Sequence, residues 1–237
     1  MKFTILGCGS SMGVPRSDGF FGNCDPKNKK NYRTRCSALI QTQSENVLID
    51  TSPDLRQQLI NNKVKKIDKV FYSHMHADQT HGINDLRVFY IQNKKTIPIY
   101  ADNPTKKYLF NTFKYCFINN NKEYPATLKL NSIKDNLIIS DGKKKLKVKT
   151  VKVKHGKVDS ICYIIDKKIA YISDISDISK KDYKFFRKTF LPVDWDTVCA
   201  RAAQRRSIPR QWYAYRTPPP NMVDRPDSAV EQTHHRP

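Results

Sequence analysis

The hydrophobic positions change period along the chain, and those changes mark out its elements. Phe3–Leu6 is a short apolar run that ends in Gly7-Cys8-Gly9-Ser10-Ser11, the pattern of a strand feeding a glycine loop. Ser37–Thr42 and Val47–Asp50 read as two further strands, joined through polar Gln43-Ser44-Glu45-Asn46 as a hairpin. Thr51-Ser52-Pro53-Asp54 is a helix start signal, and it predicts a helix to about Asn62. Val70–Ser73 reads as a strand, Ile83–Ile91 as a helix, Ile97–Tyr100 as a strand and Thr105–Phe117 as a helix. In the second half, Leu146 and Val148, then Val151 and Val153, alternate with lysine, so one face is buried and one wet. The phase slips by one residue at Thr150, which predicts a bulge or a bend. Ile161–Ile165 and Ile169–Ile172 form a hairpin around Asp166-Lys167-Lys168. Hairpins outnumber βαβ units, so the expected fold is α/β of the α+β kind, two sheets covered by helices, rather than a doubly wound sheet.

At 237 residues and 38% hydrophobic, the chain can bury a core without disulfide staples. The six cysteines (Cys8, Cys24, Cys36, Cys116, Cys162 and Cys199) are scattered without CxxC spacing, which points to reduced thiols. No apolar run approaches the roughly 20 residues that span a bilayer. The N-terminus lacks the apolar stretch of a secretory signal, so the expected location is the cytoplasm, with no membrane partner. A net charge of +21 and a pI near 9.7 would attract nucleic acid or phosphate-bearing small molecules. Lysine is spread through the main body beside Asn and Ile, however, and a general lysine bias produces the same charge. Basicity therefore permits an anionic substrate without selecting one.

Composition breaks near residue 189. All 30 lysines lie at or before Lys188, whereas every later basic side chain except the histidines is arginine. Trp195, Trp212 and seven of the thirteen prolines also fall after that point. Residues 1–188 are accordingly expected to form one folded domain. Residues 189–237 read as an atypical Arg/Pro-rich tail, either frameshifted or a disordered extension.

The chemical centre is Ser73-His74-Met75-His76-Ala77-Asp78-Gln79-Thr80-His81-Gly82, which holds three of the six histidines. Imidazole and carboxylate are the usual ligands of zinc, manganese and iron at open catalytic sites. An H-x-H pair leaving a strand can aim both rings to one side, and Asp78 in the turn can face a second metal. Gly82 permits a tight backbone path before the next helix.

These residues resemble the metallo-β-lactamase superfamily, whose signature is H-x-H-x-D-H followed by glycine. Within it the chain looks like the phosphodiesterase branch that includes phosphoribosyl 1,2-cyclic phosphate phosphodiesterases. The segments TILGCGSSMGVPR, NCDPKNKKNYRTRCSALI, VLIDTSPDLR, SHMHADQTHGINDLR and HGKVDSICYIIDKKIAYISDIS carry the resemblance over about residues 3–179. It implies an αββα sandwich and a site for two divalent ions, zinc or manganese. His74, His76 and His155 would hold the first ion, Asp174 would bridge, and Asp78 would ligate the second and serve in catalysis. Asp50 would support the metal loop from behind, although a simple turn before the helix explains it nearly as well.

Two departures follow. Gln79 stands where the signature has histidine, and its carbonyl is a weaker zinc ligand; His81 is a candidate to compensate, two residues on and from a different angle. After Lys188 neither the histidine-bearing segment that supplies a leaving-group acid nor the final histidine ligand is recognisable, and His234-His235 stand in an unrelated context. Residues 1–188, the hydrolase domain that the resemblance implies, are therefore expected to be C-terminally incomplete, with the second metal site impaired and turnover feeble or absent. With only Cys24 in the relevant region, no structural zinc is expected. Arg33, Arg35 and Arg87 are candidates for phosphate contact or for salt bridges.

The implied reaction is phosphodiester hydrolysis by a metal-bound hydroxide, on a small cyclic sugar phosphate or nucleotide-like diester. The rivals are a tRNase Z-like nuclease, a thioester or lactam hydrolase on the same fold, and a non-catalytic metal-binding remnant. Charge favours the nuclease, but no aromatic-basic interleaving supports a nucleic-acid partner. A homodimer is left open.

Overall fold

Six strands, met in chain order, make the first sheet of the computed structural model, which describes residues 1–119 and 125–186. They are β1 (Lys2–Gly7), β2 (Ser37–Gln41), β3 (Asn46–Ile49), β4 (Lys69–Phe71), β5 (Ile97–Ala101) and β6 (Leu128–Ser132). β1, β2 and β3 pair antiparallel, and β3 to β6 pair parallel. A parallel neighbour needs a crossover, and helices supply them. α1 (Leu55–Asn61) follows β3; the short α2 (Ala77–Thr80) and α3 (Arg87–Asn93) follow β4; α4 (Asn103–Thr112) follows β5. The second sheet is an antiparallel meander of β7 (Asn136–Asp141), β8 (Lys144–His155), β9 (Val158–Ile165) and β10 (Ile169–Tyr171). After it, α5 (Tyr183–Phe186) is the last described element.

Two cores explain the layering. Leu39, Leu48, Val70 and Ile99 point to one face of the first sheet, where Leu55, Leu59, Leu86, Phe89 and Leu109 of the helical layer meet them. Their strand neighbours Ala38, Ile40, Val47, Ile49 and Phe71 point to the other face and pack on Leu146, Val148, Ile161, Tyr163 and Ile165 of the second sheet. Strands buried on both faces read as near-continuous apolar runs, which is why Ala38–Ile40 and Val47–Ile49 show no alternation. Helix, sheet and sheet thus stack in the expected metallo-β-lactamase-type order.

One expectation needs correction. β8 and β9 pair in unbroken register from Val148↔Ile165 to His155↔Val158, so no bulge interrupts the strand at Thr150. Leu146 and Val148 face the first sheet, whereas Val151 and Val153 are buried on the opposite side of β8. The apolar phase slips because the covered face changes. β6 and β7 were not anticipated. The tail 189–237 and its composition break lie outside the described residues. Among the described residues no helix is long and apolar enough to cross a membrane.

Candidate metal centre

β4 stops at Phe71 because the chain there turns out of the sheet to carry its histidines. Tyr72 N–H still donates to Tyr100 O (2.9 Å), and then the backbone leaves the ladder. The loop is clamped to the segment after β3: Thr51 N–H donates to Gln79 O (2.7 Å) and Gly82 N–H to Thr51 O (2.9 Å). A Cβ on Gly82 would fall 2.0 Å from Ser52 O. Its φ of −88° is open to any residue, so Gly82 is required by close approach rather than by an unusual dihedral.

Three imidazoles converge at this point. His74 Nε2 lies 3.0 Å from His76 Nδ1, and His155 Nε2 lies 3.2 Å from that same atom. His74 and His155 are buried and His76 is exposed, so the cluster opens to solvent on one side. Nitrogens about 2.1 Å from one tetrahedral zinc would stand roughly 3.4 Å apart, and the observed spacing is near that value. His155 arrives at the end of β8. The second sheet is tied to the metal loop by Ile161 N–H donating to Ser73 O (2.9 Å) and Tyr163 O–H donating to Tyr72 O (2.6 Å).

The carboxylates surround this cluster. Asp174, just past β10, places Oδ2 3.8 Å from His74 Nε2. Gln79 Nε2 donates to Asp78 Oδ2 (3.1 Å) and to Asp174 Oδ2 (3.2 Å). Asp50, wholly buried at the end of β3, accepts from Ser73 N–H (2.7 Å) and Ser73 Oγ–H (2.8 Å). Burial pushes its proton affinity well above the usual carboxylate range; the Ser73 donors oppose this, and Asp174 and Asp78 add to it. A cation on the imidazoles would offset that accumulated negative charge. The hydrogen count also orients His74. With Asp50 as carboxylate, Ser73 spends its only proton on Asp50 and receives one from Ser173 Oγ (3.0 Å). His74 Nδ1, 3.0 Å from Ser73 Oγ, must then be the donor, which leaves its Nε2 lone pair facing the cluster. Ligand type, spacing and charge all fit one divalent ion.

Other expected residues sit elsewhere. His81 turns to the helical layer, where Nε2 meets Tyr108 Oη (2.9 Å) and the ring stands edge-on to Phe113. Arg35 grips Asp54 through Nε (2.8 Å) and Nη2 (2.6 Å) and holds that carboxyl below its ordinary range. Arg33 Nε donates to Lys30 O. Ser73, which connects Asp50 to His74, and Ser173, which donates to Ser73, are not marked in the sequence, because serines beside a strand end carry no distinguishing signal.

The model of the beta-lactamase superfamily domain matches residues 45–198, a span that contains this whole constellation and runs past the composition break. The chain belongs to the beta-lactamase superfamily. Within the superfamily it is similar to a crystal structure described as a new diphosphatase from the PhnP family, at 30% identity and TM-score 0.65, over 79% of this chain and 70% of that one. Human tRNase Z, short form (18%, TM-score 0.55, 78% of this chain and 74% of that one) shares the fold. So does zinc-bound PqqB from Methylobacterium extorquens (18%, TM-score 0.53, 76% and 68%). A Porphyromonas gingivalis (strain ATCC BAA-308 / W83) protein named octanoyltransferase is 31% identical over 185 residues, 77% of this chain. The chain spans only 36% of that protein's length, so the name describes a much larger molecule. Superfamily and histidine cluster together support a metal-dependent hydrolase of this superfamily.

Proposed function

We propose that the domain hydrolyses a phosphodiester bond in a small phosphate-bearing substrate, such as a cyclic sugar phosphate or a nucleotide-like diester. The convergence of His74, His76 and His155 beside Asp174 carries this reading; similarity to a diphosphatase supports phosphorus as the atom attacked. The branch that includes phosphoribosyl 1,2-cyclic phosphate phosphodiesterases is the nearest description of this chemistry.

A bound divalent ion lowers the pKa of a coordinated water and neutralises phosphate oxygens. The three imidazoles would hold that ion, and Asp50 fixes the His74 ring through Ser73. Asp174, bordering the ion site, accepts the proton that the attacking water gives up. The water oxygen bonds to phosphorus, the ester P–O bond breaks, and the departing oxygen takes up a proton from solvent. Exposure of His76 gives the substrate its approach.

Bis(p-nitrophenyl) phosphate with added manganese is the assay. Slow, metal-dependent release of p-nitrophenol is expected, and it should vanish with the bound metal in His76→Ala. Hydrolysis that persists in that variant, or wild-type protein that takes up no metal, overturns the proposal. A tRNase Z-like nuclease is the second reading, favoured by the net charge of +21. Cleavage of a tRNA precursor in preference to the small diester would select it.

A further inference from the structure

Two carboxylates that would share a second cation converge instead on an amide. Asp78 and Asp174 both accept from Gln79 Nε2, at 3.1 and 3.2 Å. A primary amide nitrogen carries two protons, one for each carboxylate, so the donor count matches the acceptors. The approach is set by the backbone, since Gln79 N–H donates to His76 O (3.0 Å) and Gln79 O accepts from Thr51 N–H (2.7 Å). Gln79 is fully buried, and its Oε1 has no hydrogen-bond partner. Nothing on the oxygen side rewards this orientation. The two carboxylates alone dictate it, because the reverse rotamer would put a carbonyl dipole against two negative charges.

We infer that the Gln79 side-chain amide takes the place of the second cation, leaving a one-metal centre on His74, His76 and His155. The inference rests on the reading of those three histidines as a metal site and specifies its stoichiometry. Protons aimed at both carboxylates repel a positive ion from the space between them. An imidazole at this position would present a lone pair there, and a carboxylate would present negative charge. Gln79 thus bridges Asp78 and Asp174 where a second cation would stand, and a phosphate substrate meets one cation instead of two.

Metal-stripped full-length protein, titrated with cobalt(II) and followed by visible absorption and by metal analysis after dialysis, tests this. Wild type should saturate at one equivalent, whereas Gln79→His and Gln79→Glu should each take two. Circular dichroism melts establish that each variant is folded, and Gln79→Glu carries the comparison if the histidine variant is not. Two equivalents in wild type, or one in all three proteins, overturns the inference and leaves the three-histidine site standing. No cobalt in wild type removes that site itself, and this inference with it.

Discussion

Gly82 shows how one absent methyl group shapes the metal loop. A Cβ there would meet Ser52 O at 2.0 Å and Leu55 Cβ at 2.9 Å, and both neighbours are held by the core. Gly82→Ala should destabilise the fold by about 2–3 kcal/mol, as overpacking of a tight contact does, and weaken metal uptake; urea melts and metal analysis check it. Asp54 acts through charge. Arg35 holds its folded-state pKa below the unfolded value, so the pair's contribution is present above the ordinary carboxylate pKa. That contribution disappears as pH falls through the depressed folded value. In chelated protein, so that histidine ligation does not intrude, the Tm gap between wild type and Asp54→Asn should be widest at neutral pH and close toward pH 3.

Among the elements, α4 is fastened at its start by Asp102, whose Oδ1 accepts from Thr105 N–H (3.0 Å). Asp102→Ala should cost about 1 kcal/mol in denaturant unfolding. Apart from the short α2, which the sequence presents as a turn, the strands and helices up to α4 are legible because each begins or ends at a strong local signal: the polar run between β2 and β3, the Pro53-Asp54 start, the apolar burst of β4. β6 and β7 lacked one. Lys129 and Asn131 interrupt the first, and exposed Ile138 between buried Leu137 and Ile139 hides the alternation of the second, so pairing with β5 and β8 makes them strands. The site divides in the same way. His74 and His76 announce themselves by spacing within one turn. His155 and Asp174 are single polar residues at strand ends, a placement that permits a site there, and the resemblance is what assigns them as ligands. Tertiary pairing of β8 with β9, and of β9 with the metal loop, brings His155 to His76. The direction of the Gln79 amide and the diversion of His81 to Tyr108 depend on partners 95 and 27 residues away, beyond the reach of pattern.

For the molecule as a whole, the imidazoles come from two sheets. A ligand that binds only the folded state stabilises it by mass action, about 2.7 kcal/mol at a hundredfold excess over Kd. In a domain of this size that corresponds to a Tm rise of roughly 5–10 °C, which a chelator should reverse and His76→Ala should abolish. The contact between His76 and His155 joins positions 79 residues apart. A coordinated ion there closes a long loop as a covalent cross-link would, yet one that opens to a chelator instead of a reductant. The cofactor is then also a clasp. Withdrawing it should quicken amide exchange at Tyr72 and Ile161 together, because the strand that carries the catalytic loop and the strand that braces it are fastened at one point.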